Sequence, residues 1–468
     1  MASQTGSTGL REAFEAAVRE AAQRLHVPGV AAGVIHGGEE HHVFTGVTSI
    51  ENPLAVDENT LFQIGSTGKT FTATAVMRLC DEGRIDLDAP VRAYVPELKL
   101  RDEGVASTVT VLQLLNHTAG WDGDFFEDQG DGDDALERYV RRMRTLKQVV
   151  QPGQGSTASY NNAAVALAGR VIEKITGTAY EKAVTDLVLE PVGLHDSLFF
   201  PNDIMCRRFA VGHVNGEEAG DPLLRVSRPW RMLRAANPMG GLSSTLADTL
   251  RWARFHMGDG TGADGQRVLT AESLALMRRP TAPLPVALGD TVGISWLIKR
   301  VGDVEMIGHG GTTQGQHSAF QMVPERSFAV AVNTNSTNGG ALHREMVAWA
   351  LKNYLDVVEA EEEPLTLGSD ALAIYAGRYE SDSSILTVRV SGDHLEIHTK
   401  PTARLIRIME KAGQETPKRA PVIPLKVLPN DLVVVSAGPA KGVKGQFERA
   451  NGDVSGLNFG GRLAVRRS

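Results

Sequence analysis

Ser66 is the only serine of the chain that has a lysine three residues later, Lys69. The pair stands in Phe62-Gln63-Ile64-Gly65-Ser66-Thr67-Gly68-Lys69-Thr70, directly ahead of the apolar run Phe71 to Leu79. At the start of a helix this spacing puts hydroxyl and amine on one face, so the amine can reach the oxygen. The helix N-terminus adds backbone N–H groups and a positive field for a developing oxyanion. Such a pair activates a hydroxyl without a histidine. Read alone, the same four residues are more readily a capping serine and a solvated lysine, a spacing common by chance, so the decision falls to other segments.

Two further segments carry matching chemistry. Gly155-Ser156-Thr157-Ala158-Ser159-Tyr160-Asn161-Asn162 precedes the apolar helix Ala163 to Ile175. Tyr160 and Asn162 can present a phenol and an amide to one cleft, the phenol to shuttle protons and the amide to hold a carbonyl. Met306-Ile307-Gly308-His309-Gly310-Gly311-Thr312 follows a strand. Its glycines let backbone approach a substrate closely, and the Thr312 N–H could complete an oxyanion hole.

Other signals lead nowhere. Gly68-Lys69-Thr70 looks like the end of a phosphate-binding loop, but the glycine that loop needs is Gln63 here. There is no G-x-S-x-G elbow, which disfavours an α/β-hydrolase. His394-Leu395-Glu396-Ile397-His398 resembles a metal cluster, yet it matches no helical zinc motif. On a strand its three polar residues share one solvated face. No metal and no cofactor is expected.

Together the three segments resemble the serine β-lactamase and penicillin-binding-protein superfamily, whose signature is S-x-x-K, a polar triplet and K-T-G. The variant here, S-x-x-K with Y-x-N and H-x-G, is similar to the branch of class C β-lactamases, DD-peptidases, esterases and D-aminopeptidases. Val109-Thr110-Val111-Leu112-Gln113-Leu114-Leu115-Asn116-His117-Thr118-Ala119-Gly120-Trp121 and Asn237-Pro238-Met239-Gly240-Gly241-Leu242-Ser243-Ser244-Thr245 extend the resemblance over Leu10 to Leu355. It implies that Ser66 is acylated, that Lys69 and Tyr160 move protons, and that Asn162 binds the substrate carbonyl. The N–H groups of Ser66 and Thr312 would form the oxyanion hole, and His309, Gly310, Gly311 and Thr312 would line the substrate. His309 stands where the branch usually has lysine. An unperturbed histidine there would tie carboxylate binding to a pKa near ~6.5, and the lost permanent charge counts against efficient β-lactam turnover. The tail, with Ile374-Tyr375-Ala376-Gly377-Arg378-Tyr379 and Phe459-Gly460-Gly461-Arg462-Leu463, resembles the lipocalin-like appendage of some of these hydrolases.

The elements that must position these residues follow from periodicity. Leu10, Phe14, Val18, Ala21 and Leu25 recur at helical spacing, with Thr8 as a cap. Gly29 to Ile35 and His41 to Thr45 read as strands, and Thr70 to Met277 as mainly helical. Strands return at Val292 to Lys299, Val304 to Ile307, Ala319 to Val323 and Phe328 to Asn333, before a helix over Ala341 to Leu355. The economical α/β packing is one antiparallel sheet flanked by the terminal helices, beside an all-α lobe, with the site in the cleft between. This β-lactamase-like unit is assigned to residues 1–358. An acidic linker, 359–369, leads to an all-β unit over 370–468. There Ile385–Val390, His394–His398, Leu405–Met409, Leu432–Val435, Gly445–Arg449 and Leu463–Arg466 suggest a small antiparallel barrel that shapes access.

The bulk properties fit. The 468 residues are 42% hydrophobic with net charge −8, enough for two or three domains and without the basic excess that nucleic acid attracts. Cys80 and Cys206 are the only cysteines, so a disulfide framework is excluded. The N-terminus lacks a basic and an apolar targeting segment, and no apolar run reaches membrane-spanning length. The expectation is a cytoplasmic serine hydrolase acting on an ester or amide of a small molecule or short peptide, with no nucleic-acid or membrane partner. A D-aminopeptidase or β-lactamase-type amidase, an acyltransferase and, in another class, a silent binding protein on the same fold are the alternatives. The acidic loop Asp122 to Asp134 reads as a solvated loop near the cleft. Oligomeric state is not legible.

Overall fold

A computed structural model describes residues 2–152, 158–215, 223–411, 422–438 and 440–467. Its frame is a nine-stranded antiparallel sheet. The strands are β1 (Gly29–His36), β2 (Glu39–Gly46), β3 (Ala282–Pro283), β4 (Thr291–Val292), β5 (Leu297–Val301), β6 (Val304–Gly308), β7 (Gly311–Thr312), β8 (His317–Val323) and β9 (Phe328–Thr334). They run in the order β2-β1-β9-β8-β6-β5-β4-β3, with β7 paired to β8.

The sequence of β1 explains why this sheet lies between layers. Val30, Ala32 and Val34 alternate with Ala31 and Ile35, and all five are buried. The first set packs on Phe14 and Val18 of α1 (Ala2–Arg24) and on Leu342 and Met346 of a helix near the end of this unit, Gly339–Leu355. The second set joins the core of the helical lobe with Leu246 and Leu250. Burying each such side chain contributes roughly 1.5–3 kcal/mol, so register is strongly fixed. Thr8 lies inside α1 rather than at its start.

Two helices matter most for the site. In α2 (Lys69–Asp81), Phe71 stacks on Trp252 at 4.1 Å, and the Trp252 indole N–H donates to Thr70 Oγ1 at 3.0 Å. In α3 (Asn162–Thr176), Asn161 Oδ1 caps the start by accepting from Ala164 N at 2.8 Å. The first of these helices emerges directly from the 3₁₀ turn Gly65–Gly68.

Beyond the acidic stretch, eight strands close into an antiparallel barrel, each paired with its neighbour in sequence and the last with the first. They are β10 (Gly377–Glu380), β11 (Ser384–Ser391), β12 (His394–Pro401), β13 (Ile423–Val427), β14 (Leu432–Val435), β15 (Lys444–Ala450), β16 (Asp453–Phe459) and β17 (Arg462–Arg467). The stretch between the two units touches both: Glu359 pairs with Lys299 at 2.7 Å and Glu362 with Lys444 at 3.0 Å.

Three expectations need correction. Leu405–Met409 is helical, part of Ala403–Lys411; its apolar residues Leu405, Ile406, Ile408 and Met409 follow a helical, not an alternating, period. Val292–Lys299 is two strands separated by a turn in which Ser295 adopts φ +65°. Finally, the Asp122 to Asp134 loop is not wholly solvated, because Asp122 and Asp124 enter the interface between the units. His394, Glu396 and His398 share the half-buried face of β12, and no metal-binding cluster occurs among the described residues. Cys80 and Cys206 are free thiols, and among the described residues no helix is long and apolar enough to cross a membrane.

Candidate active site

Ser66 sits in the 3₁₀ turn and opens onto a cleft of about 640 Å³. Lys69 Nζ lies 2.9 Å from Ser66 Oγ and donates to the Met239 carbonyl at 2.6 Å. The serine is therefore not a helix cap; the turn has no side-chain cap at all. The Met239 carbonyl comes from Asn237–Gly240, a segment quoted from the sequence without a role. Gly240 packs where a Cβ would stand 3.0 Å from the Gly65 carbonyl carbon, so its bareness lets this acceptor approach the turn.

Lys69 is completely buried. Burial, reinforced by the charge of Arg462, holds its pKa well below the usual lysine range, against the weaker pull of Asp124. A neutral amine that donates to Met239 keeps a lone pair for the Ser66 proton. Tyr160 is buried as well, and burial raises its phenol pKa despite a hydrogen bond with Ser66. It remains a protonated phenol, suited to handing a proton to a leaving group rather than to acting as phenolate.

The edge strand β7 closes the other side. Thr67 Oγ1 donates to the His309 carbonyl at 3.1 Å, and Ser318 Oγ donates to the Ile64 carbonyl at 2.7 Å. Gly311 fits only because it lacks a Cβ, which would stand 1.8 Å from the Ile64 oxygen. Ser66, Gly310, Gly311 and Thr312 thus line one wall together.

His309 differs from the sequence expectation. It is 1% exposed, and burial above all pushes its pKa down to about 3. Its Nδ1 lies 2.6 Å from the Gly310 carbonyl. A carbonyl only accepts, so the proton is on Nδ1 and Nε2 carries a lone pair. With its pKa so depressed, His309 stays neutral throughout the range above about pH 5. His309→Gln should accordingly leave the shape of kcat/KM against pH unchanged between about pH 5 and 8. A wild-type inflection near pH ~6.5 that disappears in the variant would restore the titrating role.

The fixed positive charge of the cleft is Arg462, which the sequence reading did not single out. It belongs to the Gly460-Gly461 turn of the β16–β17 hairpin, which reaches out of the barrel. Tyr160 N donates to the Gly461 carbonyl at 3.0 Å, and the Arg462 guanidinium lies 4.9 Å above the Tyr160 ring. It forks onto Asp124, with Nε to Oδ2 at 2.9 Å and Nη2 to Oδ1 at 3.1 Å. Asn162 Nδ2 donates to the same Asp124 Oδ1 at 2.9 Å. Burial would raise the Asp124 pKa, but Arg462 and Asn162 outweigh it and leave the carboxylate below its usual range. Arg462 itself lines the cleft and keeps 37% of its side chain exposed. A cation on a glycine-rich hairpin turn was the available signal, but nothing in the sequence says which way a barrel faces.

A second bridge lies beside the first. Asp382 N of the barrel donates to Asp122 Oδ2 at 2.8 Å, and burial plus the nearby Asp382 carboxylate raises Asp122 to about 6. Of the nominated residues, Ser66, Tyr160, Asn162, His309, Gly310, Gly311 and Thr312 line one cleft, with Lys69 buried directly behind Ser66. Gly155, Ser156 and Thr157 of the second motif lie outside the described residues.

The family model described as Beta-lactamase matches residues 14–352. Penicillin-binding protein 4 of Amycolatopsis lactamdurans is 38% identical over 314 residues, spanning 66% of this chain and 81% of that relative. Among solved structures, SurE superposes with a TM-score of 0.75 at 27% identity, covering 98% of this chain and 100% of that one; it has also been solved with D-Leu. The D-amino acid amidase of Ochrobactrum anthropi SV3, complexed with L-phenylalanine amide, gives a TM-score of 0.62 at 25% identity over 74% of this chain and 99% of its own.

Proposed function

The chain belongs to the β-lactamase family, and from that premise we propose that it is a serine hydrolase cleaving an ester or amide through an acyl-enzyme on Ser66. The observation that carries this reading is the buried Lys69 amine, 2.9 Å from Ser66 Oγ and without a carboxylate in hydrogen-bonding reach among the described residues. Lys69 takes the serine proton as Oγ attacks the carbonyl carbon. The N–H groups of Ser66 and Thr312 receive the oxyanion. The Tyr160 phenol protonates the departing alcohol or amine and is reprotonated by the Lys69 ammonium; water then attacks the acyl-enzyme, Lys69 taking the water's proton and Ser66 Oγ leaving with one returned to it. Asn162 holds the carbonyl of the acyl side chain, once Asp124 yields its amide.

Two observations favour amides of amino acids, or small peptides, as the substrate class. The cleft is walled by apolar Phe126, Met232 and Leu288, yet contains the forked cation of Arg462. Its neighbours in fold include an enzyme named for D-amino acid amides and a protein solved with D-Leu. A second reading, acyl transfer to an amine, draws on the barrel hairpin whose Gly461 and Arg462 lie against Tyr160.

A panel of aryl esters, D- and L-aminoacyl amides and a chromogenic cephalosporin, run on wild type and Ser66→Ala with product analysis, tests the proposal. D-aminoacyl amides and esters should turn over with wild type alone, and the cephalosporin should turn over slowly. A panel untouched by wild type, or touched equally by Ser66→Ala, would remove the hydrolase reading. Amide products formed with an added amine in preference to acids would select acyl transfer.

A further inference from the structure

His117 has no part in the chemistry above, although it is fully buried beside it. It follows the helix Val111–Leu115 and adopts φ +61°, a left-handed backbone that histidine tolerates better than most residues. Its segment is anchored on both sides. Ser295 N donates to the Leu115 carbonyl at 2.9 Å, and Asn116 Oδ1 accepts from the Thr118 hydroxyl at 2.6 Å. From that anchor His117 holds both neighbours of Tyr160. Ser159 N donates to the His117 carbonyl at 3.1 Å, and Asn161 N donates to His117 Nδ1 at 3.2 Å.

The second bond fixes the tautomer. Nδ1 accepts, so the proton is on Nε2, the reverse of His309. The His117 ring lies 4.3 Å from the Tyr160 ring at an interplanar angle of 37°. Tyr160 is thus bracketed by His117, by His309 at 6.0 Å, and by the Lys69 amine and the Arg462 guanidinium at 5.0 and 4.9 Å. Burial, with Lys69, His309 and Arg462 all nearby, keeps His117 neutral, so it adds no charge to this cluster.

We infer that His117 is a positioning residue for the Tyr160 phenol, setting its place against Ser66 through the paired grip on Ser159 and Asn161 and through ring contact. The inference rests on the catalytic role proposed for Tyr160. The test is a double-mutant cycle between His117 and Tyr160 on an aryl ester, reading kcat and KM per folded molecule. His117→Leu should lower kcat by roughly tenfold or more, with KM little changed. His117→Asn, whose Oδ1 takes the place of Nδ1, should recover most of the loss. In a Tyr160→Phe background neither change should lower kcat further. Should His117→Leu not fold, His117→Gln replaces it, since glutamine has no acceptor at the δ position and should fall well below His117→Asn. Additive losses in the Tyr160→Phe background, full turnover in His117→Leu, or equal turnover of the Asn and Gln variants overturns the inference. Full turnover in Tyr160→Phe alone overturns the role of the phenol and the inference with it, whereas additive losses leave that role standing.

Discussion

Lys69→Ala should lower kcat/KM by roughly 10³-fold or more, because proton transfer by a positioned group contributes about 10²–10⁴-fold and, among the described residues, Lys69 is the amine hydrogen-bonded to the serine. Lys69→Arg should do no better. A guanidinium does not give up its proton, and it would bring a fixed charge into a site where burial holds the lysine neutral. In wild type, activity should rise with pH as Lys69 loses its proton, at a value well below that of free lysine. Combining Ser66→Ala with Lys69→Ala should cost little more than either change alone, since both belong to one unit. Acylation rates on an activated aryl ester, with folding checked by circular dichroism, decide the matter. A folded Lys69→Ala enzyme within tenfold of wild type would mean that another group takes the proton.

The second large effect should come from the barrel. Arg462→Gln removes the fixed charge of the cleft and leaves Asp124 with Asn162 as its remaining side-chain donor. A hydrogen bond to a charged group is worth about 1.5–3 kcal/mol, so KM for a substrate bearing a carboxylate should rise by roughly ten- to a hundredfold. The matched neutral ester should change far less. Arg462→Lys should fall between the two, keeping the charge but not the fork. Equal losses for both members of the pair would mean that Arg462 acts by holding Asp124 and Asn162 in place rather than by meeting a carboxylate.

These two predictions divide between what the sequence shows and what only the fold reveals. Ser66 and Lys69 are legible as a pair because their three-residue spacing at a helix start is a local property, and Tyr160 and His309 as candidates because glycine-rich and polar loops flank regular elements. The sheet was legible because β1 and β9 are apolar on both faces. Leu405–Met409 reads wrongly as a strand because a mostly apolar run of five residues is too short for its period to separate strand from helix. Met239 was quoted without a role, since a backbone carbonyl carries no residue-type signal. Arg462 and Asp124 lie far apart in sequence and meet only because a barrel hairpin reaches into the other unit. His309 lines the cleft, but the titration expected of a free histidine does not follow, because burial, not residue type, sets its pKa.

Reaction with a fluorophosphonate, followed by intact mass and peptide mapping, reads the proposed acyl-enzyme position on Ser66. One adduct per chain is expected, on the peptide containing Ser66, formed slowly in Lys69→Ala and absent in Ser66→Ala. An adduct on any other serine, or equal labelling of Ser66→Ala, would contradict it.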